Sequence, residues 1–430
     1  MTTTAEIYRI FEKHPVISTD SRKNEPGSLF FALKGDNFNG NKFAESALKN
    51  GAAFAVIDEK DYVVPGKTLL VDDVLKTLKD LANFHRRKLS IPILAITGTN
   101  GKTTTKELIS AVLSQKFEVG YTRGNLNNHV GVPLTLLKMT SKTEFGVVEM
   151  GANHPGEIAE LCSITEPDFG IITNIGKAHL EGFGSFEGVI KTKTELYNFL
   201  NNKNGPAFFN KDNQLLLDLT QHLKNKISFG TSNADFTGEL IQSPPFVHVK
   251  AQFKKGVLYL NSNLIGDYNF ENVLAAACIG EYFKVDPLKI QKAIKDYQPT
   301  NNRSQLIRKD DVKIIMDAYN ANPTSMQASI TSFLSNISGN QYLILGDMLE
   351  LGNYSQEEHL RILELLKNYP QVKVFLVGRI FNGIAPKYQY ESFQNVDQLC
   401  EFLNNHKITS GNILIKGSRG IQLEKVLNCF

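Results

Sequence analysis

The sequence predicts an α/β protein of three domains: a small α/β domain, a central domain on a parallel sheet, and a Rossmann-like C-terminal domain. The chain has 430 residues, a length typical of two to four domains. An apolar segment at residues 93–97 runs into a glycine-rich turn and a helix, and strands alternate with helical segments on both sides of it. We therefore expect the domains at residues 1–84, 85–300 and 301–430.

The segment ILAITGTNGKTTTK predicts a phosphate-binding loop between a buried strand and a helix. Gly98 and Gly101 let the backbone approach a phosphate closely, and the first N–H groups of the helix point at it. Lys102 supplies a cation, and the Thr103 hydroxyl is placed to hold Mg²⁺. Ile96 stands where the general pattern has a glycine, but the flanking strand and helix favour nucleotide binding.

The N-terminal domain has strands of its own, which we expect at residues 28–34, 52–58 and 68–72, with a helix at 41–50. A polar loop with a Pro26-Gly27 turn precedes them. Ser21 and Arg22 in this loop suit a phosphorylated ligand, and a solvated loop explains them equally well.

Two further strands end in polar residues close to the phosphate loop. Glu149 lies in the strand predicted at residues 145–150, and His179 follows the strand at 169–174. Ligands gather at the carboxyl ends of parallel strands, so both side chains should face one crevice with Lys102. An acidic strand-end residue is the expected magnesium partner. A lone histidine is more often structural, and only its position favours a function for His179.

The rest of the central domain gives weaker signals. Gly184-Ser185 opens a helix with Lys191 and Lys193, which the residues alone indicate as a solvated face. We expect a hairpin (residues 246–249 and 257–260), helices (269–283 and 286–297) and a linker (298–300).

The C-terminal domain repeats the alternation without a GxGxxG after its first strand. We expect strands at 313–316, 342–345, 373–377 and 413–416, helices at 324–334, 355–366 and 396–405, and a final helix. Polar residues at the strand ends, among them Asp317, Asn320 and Lys416, indicate a cleft that closes against the central domain.

Composition excludes several classes of function. The net charge is +3 and no basic block stands out, so nothing indicates a nucleic-acid partner. The four cysteines are scattered, which favours neither disulfides nor a zinc site. We find no secretory signal pattern and no apolar run near the ~18 residues of a membrane span. These features predict a cytoplasmic protein without membrane insertion.

The motifs together resemble the ATP-dependent Mur ligase family. They are GTNGKTTTK, EMGANHPGEI, NIGKAHLEGFGS, GDYNFENVLAA, DAYNANP and GDMLELG in that order, with TDSR, PGSLFFALKG and GNLNNHVGVPLTLL as additional matches. The set with NIGKAHLEGFGS and DAYNANP is most similar to the members that join D-alanyl-D-alanine to UDP-N-acetylmuramoyl-tripeptide. The resemblance implies an N-terminal UDP-binding domain, a central ATPase domain and a C-terminal domain that closes over it, in a protein that we expect to be a monomer.

The resemblance also implies roles for particular residues. The ATP phosphates would lie on Gly98, Thr99, Asn100, Gly101, Lys102, Thr103 and Thr104. Asn272 would contact adenine and Asp317 the ribose, and Arg303 would reach the phosphates after domain closure, although its surroundings are looser than the family pattern. One Mg²⁺ would be held by Thr103 and Glu149, and a second by His179 and a carbamylated Lys193. The substrate contacts would include Ser21, Arg22, Lys34, Asn39, Asn127, Asn128, Asn320 and Asn322.

Two alternatives remain open at this point. A sister ligase that adds a single amino acid shares several motifs, and DAYNANP with GNLNNHVGVP argues against it. A non-catalytic nucleotide-dependent switch is a rival of another class. The segment Asn174-Ile175-Gly176-Lys177 is not an NKxD guanine-reading motif, and a switch has little use for a separate UDP-binding domain.

Overall fold

Three sheets organise the chain, one in each predicted domain. The computed structural model describes residues 1–242, 244–300 and 302–430, and Asn301, the first residue of the predicted third domain, lies outside them. The sheets contain four, nine and six strands. The prediction of an α/β fold with three domains is confirmed. In the described ranges, no helix combines the length and apolar character that a membrane crossing requires.

The first sheet is parallel, with the strand order β1-β2-β5-β6. Its region comprises α1 (Thr4–Phe11), β1 (Ile17–Ser18), β2 (Leu29–Phe31), β3 (Lys34–Gly35), β4 (Phe38–Asn39), α2 (Ala44–Lys49), β5 (Phe54–Ile57), β6 (Thr68–Leu70) and α3 (Val74–Leu89). Strands β3 and β4 form a separate antiparallel pair. Because α3 is continuous to Leu89, the boundary predicted between residues 84 and 85 falls inside a helix, and Ser90, at φ +52°, ends that helix.

The central sheet has the order β15-β14-β13-β12-β11-β10-β7-β9-β8 and is antiparallel only from β13 to β15. Its elements are β7 (Ile93–Thr97), α4 (Lys102–Leu113), β8 (Val119–Tyr121), α5 (Gly131–Leu137), β9 (Phe145–Glu149), α6 (Glu157–Thr165), β10 (Phe169–Ile172), α7 (Leu180–Phe183), α8 (Phe186–Lys203), β11 (Ala207–Asn210), α9 (Gln214–Leu219), β12 (Lys226–Gly230), β13 (Phe236–Gln242), β14 (His248–Phe253), β15 (Gly256–Asn261), α10 (Phe270–Tyr282) and α11 (Pro287–Asp296). Strands β9 and β10 flank β7, so their carboxyl ends lie on either side of the predicted phosphate loop.

The third sheet has the order β16-β17-β21-β18-β19-β20 and is parallel except for β16 at its edge. Its elements are β16 (Gln305–Lys309), β17 (Asp311–Asp317), α12 (Pro323–Asn336), β18 (Gln341–Gly346), α13 (Ser355–Leu366), β19 (Lys373–Val377), α14 (Arg379–Ile384), β20 (Glu391–Phe393), α15 (Val396–Asn405) and β21 (Ser410–Lys416). The predicted final helix is present as two 3-10 segments, Arg419–Ile421 and Leu423–Cys429, which Gln422, at φ +60°, separates.

Arg86 on α3 links the first domain to the central one. The side chain is 7% exposed. Its guanidinium donates to the Thr165 carbonyl (2.9 Å), the Glu166 carbonyl (3.0 Å) and Asp168 Oδ2 (2.8 Å). These bonds satisfy acceptors at the end of α6 and the start of β10, so the side chain holds α3 against the central sheet.

We expect Arg86→Met to destabilise the protein by about 1–3 kcal/mol, because two carbonyls and a partly exposed carboxylate lose a charged donor. The measurement is the urea midpoint of unfolding, followed by circular dichroism. The control is Arg9→Met on the exposed face of α1, which should leave the midpoint unchanged. Equal midpoints for both variants would contradict a structural role for Arg86.

Candidate active site

The turn after β7 has the geometry of a phosphate-binding loop. Strand β7 is buried throughout, and α4 begins at Lys102 with Gly101 as its N-terminal cap at φ +77°. A side chain at Gly98 would collide with Thr173, and one at Gly101 would lie 2.7 Å from Asn272 Oδ1. Only glycine fits at these two positions, so the loop backbone can approach a bound group closely.

Lys102 curls back over this loop. Its Nζ donates to the carbonyls of Gly98 (2.8 Å) and Thr99 (3.0 Å). Burial lowers the pKa of the Lys102 ammonium, and the nearby Arg303 lowers it further, while Glu149 opposes the shift. The loop thus holds a desolvated cation that an anionic ligand would stabilise.

Glu149 ends β9 beside the start of α4. It is 1% exposed, and its Oε1 accepts from Thr103 Oγ1 (3.2 Å) and Asn127 Nδ2 (2.8 Å). Its Oε2 is buried without a hydrogen-bond partner in the described residues, 4.0 Å from the equally unpartnered Nζ of Lys106. A carboxylate oxygen and a threonine hydroxyl on one side of the loop form a hard-oxygen donor set of the kind that Mg²⁺ prefers.

A cavity of about 640 Å³ lies between the loop and the third domain. The predicted site residues that line it are Thr99, Asn100, Gly101, Lys102, Thr103, Thr104, Asn127, Asn128, Glu149, His179, Asn272, Arg303, Asp317, Asn320 and Asn322. Other lining residues were not predicted, among them Tyr268 and Tyr319, although they lie within the GDYNFENVLAA and DAYNANP motifs.

The third domain contacts the phosphate loop directly. Asn322, which caps α12, donates to Asn100 Oδ1 at 2.8 Å. His179 Nδ1 and Glu350 Oε2 lie 2.5 Å apart, and Lys177 Nζ donates to Glu358 Oε1 at 2.8 Å. The first contact joins the third domain to the phosphate loop, and the other two join it to the loop after β10. Glu350 lies in the GDMLELG motif, but its sequence does not reveal which residue it pairs with.

Two predicted nucleotide contacts are already engaged by protein groups. Asp317 Oδ2 accepts from Lys416 Nζ (2.6 Å) and from Ser329 Oγ (2.8 Å). Asn272 Oδ1 accepts from Thr105 Oγ1 at 2.9 Å. Both side chains still line the cavity, in orientations fixed by these bonds.

Lys193 lies in α8 and is 2% exposed. The prediction from the residues alone that it lies on a solvated face is therefore wrong; Lys191, two residues earlier, is the exposed one. Burial lowers the pKa of the Lys193 amine well below its ordinary range, and the charge of Lys102 lowers it further. Its Nζ lies 5.6 Å from the centre of the Phe183 ring. In the described residues, the wall of the cavity does not include Lys193.

The four predicted substrate residues of the first domain lie outside this cavity. Lys34 pairs with Asp58 at 3.0 Å, and Asn39 donates to Glu59 at 3.1 Å. Arg22 forms an ion pair with Asp20 at 2.9 Å. The Ser21 carbonyl accepts hydrogen bonds from the side-chain amides of Asn24 and Asn50. They follow β1 and β2, so they share the carboxyl edge of the first sheet.

The fold and the cavity define a nucleotide-binding protein in which a Rossmann-like domain closes on a phosphate loop. Models of three Mur ligase domains match the chain: the family's catalytic domain at residues 15–86, its middle domain at 96–280 and its glutamate ligase domain at 302–419. The chain belongs to the Mur ligase family.

Relatives and solved structures agree with this assignment. The chain is 35% identical to UDP-N-acetylmuramoyl-tripeptide–D-alanyl-D-alanine ligase of Bacillus subtilis, over 96% of this chain and 92% of that protein. It resembles a crystal structure of MurF from Acinetobacter baumannii with a TM-score of 0.87 and 31% identity, covering 96% and 92% of the two chains. The MurF ligase of Thermotoga maritima, in complex with ADP, gives a TM-score of 0.84 at 28% identity, with 96% of each chain covered.

Proposed function

We propose that this Mur ligase joins D-alanyl-D-alanine to UDP-N-acetylmuramoyl-tripeptide with ATP, releasing ADP and phosphate, in the synthesis of peptidoglycan precursors. The main observation that supports this proposal is the cavity between the phosphate loop and the third domain. The similarity of the chain to UDP-N-acetylmuramoyl-tripeptide–D-alanyl-D-alanine ligase of Bacillus subtilis supports it as well. A nucleotide bound to the phosphate loop and a substrate bound to the third domain would meet inside this cavity.

The proposed reaction has two steps. The terminal carboxylate of the tripeptide attacks the γ-phosphorus of ATP, and ADP leaves. The amine of the dipeptide then attacks the acyl phosphate, forming the amide and releasing phosphate. Lys102 and Arg303 would neutralise charge on the transferred group. The contacts between Asn100 and Asn322 and between His179 and Glu350 close the cavity, which would keep water from the acyl phosphate.

We propose Mg²⁺ at two positions in this site. The first is supported by the donor set of Thr103 and Glu149, whose Oε2 is buried and has no hydrogen-bond partner in the described residues. For the second we propose His179 with a carbamylated Lys193. When bound, the ions would screen the phosphate oxygens and stabilise the charge that develops during transfer.

The environment of Lys193 supports its carbamylation. An uncharged amine adds to carbon dioxide and loses a proton, which gives an anionic carbamate. Burial and the nearby Lys102 lower the pKa of the Lys193 amine and so favour the uncharged form that reacts. The carbamate would replace a repulsive pair of cations with an attractive pair, and it would supply oxygen ligands that an ammonium cannot.

The remaining roles are proposed on the resemblance and the cavity together. Adenine would lie against Asn272, the ribose near Asp317, and the muramoyl-peptide near Asn127 and Asn128, while the uridine nucleotide would lie at the strand ends that carry Ser21, Arg22, Lys34 and Asn39. We further propose a cytoplasmic monomer without membrane insertion.

Phosphate release tests the proposed function. Purified protein with ATP, Mg²⁺ and UDP-N-acetylmuramoyl-tripeptide should release phosphate only when D-alanyl-D-alanine is added. Release that responds to a single amino acid instead of the dipeptide would assign the chain to a sister ligase. No release with any combination of substrates would favour a nucleotide-dependent switch.

Glu350 should contribute to closure of the third domain. The hydrogen bond with His179 lowers the pKa of the Glu350 carboxyl, so this contact weakens as the pH falls through that lowered pKa. Because the carboxylate is partly exposed, we expect Glu350→Gln to lower kcat/KM only about two- to fivefold near neutral pH.

The same variant should give a larger radius of gyration in X-ray scattering of the nucleotide-bound protein. The matched control is Glu357→Gln, which removes an exposed partner of Arg361 on α13. Identical scattering and kinetics for the two variants would refute the role of Glu350 in closure.

A further inference from the structure

Two guanidinium groups share one aromatic ring beside the cavity. The guanidinium carbon of Arg303 lies 3.6 Å from the centre of the Tyr319 ring, and that of Arg419 lies 5.5 Å from it. Arg303 Nε is buried without a hydrogen-bond partner, and no hydrogen bond or ion pair engages the Arg419 guanidinium among the described residues. Two like charges held together without an anion indicate that anionic ligands bind there.

The other cations around the cavity are already engaged. Lys416 pairs with Asp317 at 2.6 Å, Lys102 donates to carbonyls of the phosphate loop, and His179 pairs with Glu350. Arg419 is exposed, and it lies three residues beyond Lys416, at the end of β21. Beside the Tyr319 ring, Arg303 and Arg419 are therefore the cations among the described residues that remain available to ligands.

The backbone that carries Arg419 is held in place by two neighbouring strand-end loops, those after β17 and β18. Ser418 is 3% exposed, and its N–H donates to the Asp347 carbonyl at 3.1 Å. Its Oγ accepts from the Leu349 N–H (2.9 Å) and donates to the Ala321 carbonyl (3.3 Å). A guanidinium on such a support can bind one carboxylate in a defined place, which a cation on a mobile loop does not do.

We propose that Arg419 binds the terminal carboxylate of the dipeptide substrate. This inference rests on the proposed function, in which Arg303 lies at the phosphates. Their distances to the common ring put the two guanidinium carbons within about 9 Å of each other. A two-residue peptide spans ~7 Å at most. A dipeptide can thus present its amine near the acyl phosphate while its carboxylate reaches Arg419.

The test compares D-alanyl-D-alanine with its C-terminal amide in the phosphate-release assay. The wild-type enzyme should favour the free acid about tenfold or more in kcat/KM, because the amide loses a charge-assisted bond. In Arg419→Gln this ratio should fall to near one, with a higher KM for the acid and an unchanged KM for ATP. Arg419→Lys should restore part of the ratio, and Arg308→Gln, on the exposed side of β16, should keep the wild-type ratio.

The possible results of this assay distinguish the role of Arg419 from the proposed function. An unchanged ratio in Arg419→Gln, with normal turnover of the dipeptide, would overturn the inference and leave the proposed function in place. A higher KM for ATP with an unchanged KM for the dipeptide would also overturn it, because Arg419 would then bind the nucleotide. Absence of dipeptide-dependent turnover in the wild-type enzyme would overturn the proposed function and this inference together.

Discussion

Lys102→Ala should reduce kcat about a thousandfold or more while the protein stays folded. The reason lies in the position of the ammonium, which is held by the carbonyls of Gly98 and Thr99 within the turn that would carry the phosphates. No other residue extends from this turn with a positive charge, since its remaining members are glycine, threonine and asparagine. The loss should appear in turnover even at saturating ATP, because the cation stabilises charge on the transferred group.

The same substitution should not destabilise the fold. The pKa of Lys102 is lowered on folding, mainly by burial, so the native state disfavours the charged form at neutral pH. Removing the amine should therefore leave the melting temperature unchanged or raise it. Lys138→Ala, at an exposed lysine after α5, is the control for both measurements. Near-normal turnover in Lys102→Ala would refute the assignment of the phosphate loop.

Lys193→Ala should also lose activity by about a hundredfold or more, and short carboxylic acids should restore part of it. The buried amine touches no substrate cavity in its unmodified form, so a plain lysine at this position has no evident catalytic use. A carbamate would extend the side chain and carry a negative charge toward Lys102. A small carboxylate in the space left by the side chain would supply the same oxygen ligands.

Restoration of activity by added acids distinguishes the loss of a carbamate from a loss of packing in Lys193→Ala. Lys191→Ala, on the exposed face of the same helix, should keep full activity and show no response to added acids. The wild-type enzyme should gain activity from bicarbonate more readily as the pH rises, because the uncharged amine becomes more abundant. Loss in Lys193→Ala without rescue, and with the melting temperature unchanged, would argue against carbamylation.

The sequence predicts the core of the site well because its signals are local. The phosphate loop needs glycine at two positions where a side chain collides, and an apolar strand before it, and both features can be read within 14 residues. Glu149 and His179 were found because parallel strands bring their carboxyl ends together. Strands β9 and β10 do flank β7, and both side chains line the cavity, as the strand order predicts.

Other features depend on contacts between distant parts of the chain. Asp317 and Lys416 are 99 residues apart, and only the pairing of β17 with β21 brings them together. Lys193 looks like a surface lysine because the residues next to it in sequence, Thr192 and Thr194, are polar. It lies, however, on the face of α8 that carries Val189, Leu196 and Tyr197, and that face is buried. The edge strand β16 was missed, since its sequence, QLIRK, has no clear apolar alternation. The two 3-10 segments after β21 are separated by the left-handed backbone at Gln422, and a glutamine in the sequence does not indicate that conformation.

Transfer of oxygen from the substrate to phosphate tests the central claim most directly. UDP-N-acetylmuramoyl-tripeptide labelled with ¹⁸O in its terminal carboxylate would be incubated with the enzyme, ATP, Mg²⁺ and D-alanyl-D-alanine, and both products would be analysed by mass spectrometry. An acyl-phosphate ligase must deliver one labelled oxygen to each phosphate and gain the mass of the dipeptide, less water, in the nucleotide product. Unlabelled phosphate, or a nucleotide product without that added mass, would contradict the mechanism proposed for this site.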